Sequence, residues 1–165
     1  MNPEERHIFS VLVENRFGVL ARVAGLFSGR GFNIDSLNVA ETHEKGISQI
    51  TLVTHGDAQI IEQIYHHLNR LIDVIEVTDL TAGTHVEREL LLLKVDTPDS
   101  QTRAEILQVA EVFRARVIDT KPASLVLEIT GDEGKLKAAI ELFDTYGILE
   151  LARTGKIAML RGSEK

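Results

Sequence analysis

The sequence predicts an α+β protein made of two βαββαβ units in tandem. Short apolar runs of strand length alternate with stretches whose apolar residues recur at helical spacing. The order strand, helix, strand, strand, helix, strand occurs twice, on either side of the polar stretch 81–84. A chain of 165 residues, 44 % hydrophobic and 26 % charged, is long enough for two small domains with ordinary cores.

The first unit begins with IFSVLV at 8–13, a strand. Asn15, Arg16, Phe17 and Gly18 break it. Val19, Leu20, Val23, Leu26 and Phe27 then fall on one face of a helix, which Gly29-Arg30-Gly31 ends, glycine accepting the left-handed cap conformation at little cost. FNIDSLNVAE at 32–41 alternates as a half-buried strand. His43-Glu44-Lys45-Gly46 is a polar turn, and ISQITLVT at 47–54 is the returning strand. Asp57 caps a second helix whose stripe is Ile60, Ile61, Ile64, Leu68 and Leu71. A fourth strand covers 74–80.

The second unit repeats the order with little residue identity. A strand at 90–95 precedes a helix capped by Asp99 or Ser100 and carrying Ile106, Leu107, Ala110 and Phe113. Strands at 116–120 and 125–130 flank Lys121-Pro122. Asp132 opens a helix with Leu136, Ala139, Ile140 and Phe143, and Gly147 ends it. Segments 148–152 and 156–160 are extended, hinged at Thr154-Gly155. Two helices over one face of an antiparallel sheet make each unit ferredoxin-like, with domains expected over 6–81 and 84–162. The exposed sheet edges and faces invite a second copy, so a homodimer is expected.

Composition narrows the function. A net charge of −7, with no long Lys/Arg cluster, disfavours duplex DNA, and no nucleic-acid partner is expected. Cysteine is absent, which removes disulfides, thiolate metal sites and thiol nucleophiles. The opening MNPEERHIF lacks an apolar signal core and no run is long enough to span a bilayer, so a cytoplasmic protein without membrane association is expected.

No catalytic constellation emerges: G-x-S-x-G, P-loop and dinucleotide fingerprints are all missing. Gly25, Gly29 and Gly31 lie late in a helix, whereas phosphate binding needs glycines before one. His66 and His67 are adjacent, so their side chains diverge and cannot share a metal as an i, i+4 pair does. His55 beside Asp57 reads as a strand-to-helix turn. His85 and Glu87 lie near the junction. Glu87 and Glu89 share one strand face, which suits an interface or a solvated strand start better than paired acid–base chemistry. Neither a catalytic residue nor a bound metal is expected.

The corner at 15–18 is different. A helix start presents unpaired amides and partial positive charge, where a carboxylate docks without a basic side chain. Gly18 allows close approach, Asn15 offers a donor and an acceptor, and Val19 and Leu20 begin an apolar wall. Asn33, beside Ile34, adds another amide at the start of the second strand. The residues alone leave two readings: a site for a small zwitterion, or a turn that uses Asn and Gly for its geometry.

The stretch VENRFGVLARVAGLFSGRGFNIDSL at 13–37 resembles the opening of an ACT domain. Together with THVERELLLLKV at 84–95, FRARVID at 113–119 and ARTGKIAMLRG at 152–162, it is similar to the acetohydroxyacid (acetolactate) synthase small subunits nearly end to end. The resemblance implies that the N-terminal unit is an ACT domain and that the chain is a regulatory subunit without catalysis or cofactors of its own. Thiamine diphosphate, Mg and FAD would belong to the catalytic large subunit. It also implies valine as effector, with Asn15, Gly18, Val19 and Leu20 holding the head group and Asn33 and Ile34 of a second copy closing the site. The small subunit would activate the large one and confer feedback inhibition. An amino-acid sensor serving a different enzyme is the alternative the residues leave open.

Overall fold

The computed structural model describes residues 5–162. In chain order the elements are β1 (Glu5–Glu14), α1 (Val19–Ser28), β2 (Ser36–Glu41), β3 (Ile47–Gly56), α2 (Ala58–Asn69), β4 (Val74–Asp79), a 3-10 turn (Leu80–Ala82), β5 (His85–Asp96), α3 (Ser100–Val112), β6 (Arg116–Lys121), β7 (Ser124–Gly131), α4 (Glu133–Asp144), β8 (Ile148–Arg153) and β9 (Ile157–Leu160). The chain divides into two compact units, one up to Glu87 plus the residues from Lys156 onward, the other from Arg88 to Gly155. Among the described residues, no helix is long and apolar enough to cross a membrane.

In the first unit the strands lie in the order β2-β3-β1-β4, all antiparallel. Alternation along β1 sends Phe9, Val11 and Val13 to one face, opposite Leu52, Ile50 and Ser48 of β3. Val19, Val23, Leu26 and Phe27 of α1 and Ile61, Ile64 and Leu68 of α2 close over that face as one core. Each such aliphatic side chain contributes about 1.5–3 kcal/mol when fully buried. The second unit repeats the plan in the order β6-β7-β5-β8. Its core joins Leu91, Leu93 and Val95 of β5 to Leu125, Leu127 and Ile129 of β7, under Ile106, Ala110, Leu136, Ala139 and Phe143.

Three details depart from the sequence reading. The strand expected from Phe32 begins only at Ser36, because Phe32 still belongs to the exit of α1. Its amide reaches back to the Phe27 carbonyl at 3.1 Å, and the two rings meet edge to face at 6.3 Å. Gly31, with φ 71°, is the left-handed residue of this Schellman closure, while Gly29 stays right-handed at φ −68°. β5 starts at His85, directly after the stretch read as a junction. The residues grouped with the second domain over 84–162 also divide differently: β9 packs in the first unit. Ala158 is buried there against Ile8, Val53 and Leu80, on the sheet face turned away from the helices.

Candidate functional site

The corner between β1 and α1 is held by its backbone. The Asn15 amide donates to the Gly46 carbonyl at 2.7 Å, which ties the corner to the β2–β3 turn. Arg16 N–H bonds the Glu14 carbonyl at 2.9 Å, and Val19 N–H reaches that of Arg16 at 3.3 Å. Gly18 occupies the N-cap position of α1 with φ 82° and ψ −4°, and no side chain caps the helix. A left-handed residue here is cheap only as glycine. Arg22 N–H bonds the Gly18 carbonyl at 3.0 Å, closing the first turn. The amides of Leu20 and Ala21 lie ahead of any intrahelical acceptor.

The other three α-helices are built differently. Asp57 accepts from Ile60 N–H, Asp99 from Thr102 N–H and Asp132 from Lys135 N–H, at 2.9, 2.7 and 2.9 Å. Among the described α-helices α1 alone lacks such a carboxylate, and its first turn contains no acidic residue. Its positive end is therefore open to an outside anion.

A cation stands beside it. Arg22 donates from Nε and Nη2 to Asp73 at 2.9 and 2.7 Å, and Asp73 is buried. A Cβ added at Gly18 would lie 3.1 Å from Arg22 Nη1, so the guanidinium rests against the glycine. Sequence reasoning missed this pair, because Asp73 is 51 residues from Arg22. The only signal was the position of Arg22, one helical turn beyond Gly18.

The remaining candidates divide by burial. Val19 is 4 % exposed and belongs to the core, so what it presents outward is backbone. Leu20 is 44 % exposed and Phe17 fully exposed, and Asn15 is also at the surface. Ile34 is partly buried against the same core. Asn33 is exposed; its main-chain carbonyl accepts from Thr54 Oγ1 at 2.6 Å, and its Nδ2 donates to Asp35 Oδ1 at 2.7 Å. Among the described residues no hydrogen bond joins Asn33 or Ile34 to the corner at 15–20 within the chain.

The groups weighed for catalysis are engaged elsewhere. His55 pairs with Asp35 rather than Asp57, which caps α2. Glu87 meets Arg6 at 3.1 Å, Lys156 at 3.3 Å and His85 at 3.9 Å. Glu89 receives Arg153 Nε and Nη2 at 2.8 Å each; that hydrogen bonding, above all, holds the guanidinium pKa above its ordinary value. Among the described residues no three His, Asp or Glu side chains gather as metal ligands would.

Residues 9–76, which contain the whole corner together with Asn33 and Asp73, match the AHAS small subunit-like ACT domain, and residues 88–162 match the small subunit of acetolactate synthase. The acetolactate synthase small subunit of Aquifex aeolicus is 53 % identical over 94 % of this chain and 81 % of its own length. That of Bacillus subtilis is 45 % identical, over 97 % of this chain and 93 % of its own. The chain belongs to the acetolactate synthase small subunit family. The crystal structure of the Thermotoga maritima small subunit superposes with a TM-score of 0.88 at 39 % identity, covering 96 % of this chain and 98 % of that one, so both ferredoxin-like units are shared with a solved relative. Members of this family are regulatory subunits, with catalysis in the large subunit.

Proposed function

We propose that this chain binds valine between two copies of its ACT unit, and that it thereby makes a catalytic acetolactate synthase subunit, which it otherwise activates, sensitive to feedback. The carrying observation is the uncapped start of α1 at left-handed Gly18. A ligand carboxylate there accepts from the amides of Leu20 and Ala21, in the field of the nearby Arg22. Its ammonium is met by the side-chain oxygen of Asn15 and by Asn33 of the second copy. Its isopropyl group lies against Leu20 and that copy's Ile34, exchanging water for apolar contact.

A ligand shared by two copies favours the arrangement that closes the site. It acts on the catalytic partner only through its differential affinity for two states, a coupling of about 1–3 kcal/mol. Thiamine diphosphate, Mg and FAD are assigned to that partner; this chain contributes effector recognition and contacts. The test is reconstitution of the full chain with the catalytic subunit. The expected result is a rise in acetolactate formation on adding this chain, and inhibition of that rise by valine. Activation without any response to valine would remove the effector assignment and leave only the partnership.

A further inference from the structure

Asn33 is turned by its neighbours. A carboxylate only accepts hydrogen bonds, so the Asn33 atom that faces Asp35 Oδ1 at 2.7 Å is the amide nitrogen. The Asn33 side-chain oxygen is thereby directed away from Asp35. Asp35 is itself held on both sides. Its second carboxylate oxygen accepts from His55 Nδ1, and its main-chain N–H bonds the Val53 carbonyl at 2.9 Å. The hydroxyl of buried Thr54 pins the main chain of Asn33. Backbone and amide are thus both fixed before any ligand arrives, and the amide oxygen has no partner among the described residues.

We infer that Asp35 is a positioning residue for effector recognition. By fixing the orientation of the Asn33 amide it presents an acceptor to the ligand, and so admits a contacting group that can only donate, an ammonium. This rests on the proposed role of Asn33 in closing the effector site. An ammonium has only hydrogens to offer and needs the carbonyl oxygen. A hydroxyl donates or accepts and tolerates either orientation of the amide. Releasing the amide therefore weakens an amino acid and spares the hydroxy acid of the same shape.

The experiment is calorimetry of the full chain with valine and with 2-hydroxy-3-methylbutanoate, on the wild type, Asp35→Ala and Asp35→Asn. Releasing the amide in Asp35→Ala weakens valine roughly 10- to 100-fold, the worth of one hydrogen bond to a charged group, and leaves the hydroxy acid nearly unchanged. Asp35→Asn keeps an acceptor oxygen in place and recovers most of the valine affinity. Unchanged valine binding in Asp35→Ala, or equal loss of both ligands, overturns the positioning role while the site stands. A wild type that binds no valine overturns the site itself, and this inference with it.

Discussion

At the first strand-to-helix turn of the second unit, Asp99 turns its carboxylate back onto the amide and hydroxyl of Thr102, at 2.7 and 3.1 Å. At the same turn of the first unit stands Gly18, left-handed and without a side chain to do this. The units otherwise share strand order, antiparallel pairing and a helix-covered core. One plan thus closes its helix start from within, which serves stability, and the other leaves the start open, which with glycine at the cap costs only about a few tenths of a kcal/mol and leaves a place for a carboxylate. The same contrast extends to the charges nearby. Glu89 and Arg153 satisfy each other in the second unit, whereas in the first Arg22 is held by Asp73 against the open corner.

The most direct way to break the comparison is Gly18→Asp, which gives the first corner the carboxylate that the second one has. The new side chain competes for the helix amides and repels a ligand carboxylate. Valine binding is expected to fall roughly 100-fold or more, the loss of two charge-assisted hydrogen bonds. The left-handed conformation costs an Asp about 1–2 kcal/mol, among the least of the residues with a Cβ, and the fold is expected to survive that loss. Calorimetry checks the binding and circular dichroism the fold.

Arg153→Ala sharpens the contrast from the other side. It leaves the Glu89 carboxylate, only 5 % exposed, without its bidentate partner. The expected loss is about 2–3 kcal/mol of stability, below the ~3–5 of a fully buried pair because Arg153 is partly solvated, with valine affinity unchanged. Urea unfolding beside calorimetry separates the two readouts.

The smallest effect concerns acid. The hydrogen bond from the Thr102 amide, then that from its hydroxyl, holds the Asp99 carboxyl below its ordinary 3.8. The charged cap therefore stabilises fully above pH 3.8 and is lost as pH falls through the lower folded value. Asp99→Asn, which has no charge to lose, is expected to close the gap in urea midpoint with the wild type as the solution is acidified.

The comparison also shows what the sequence can reveal. Asp57, Asp99 and Asp132 announce their helices because a cap is a local, i to i+3 event, and the Asn15–Gly18 break is just as local. Alternation and helical spacing gave both cores, since burial repeats with the element. What stayed hidden is what the chain closes over distance: Arg22 with Asp73, Asp35 with His55, and Ala158 returning to Ile8 and Val53. Phe32 misled for a different reason. Its apolar character suits a strand, yet a Schellman closure claims it for the helix exit.

The central claim is that the open corner of the first unit binds valine, and thermal unfolding of the full chain against each of the twenty amino acids tests it most directly. A ligand at 100 times its dissociation constant stabilises by about 2.7 kcal/mol, and at this size each kcal/mol moves the midpoint by roughly 2–4 °C. The account predicts a rise of several degrees with valine, a smaller one with leucine and isoleucine, and at most about one degree with valine in Gly18→Asp. A wild type indifferent to all twenty, or a valine shift that survives Gly18→Asp intact, would contradict it.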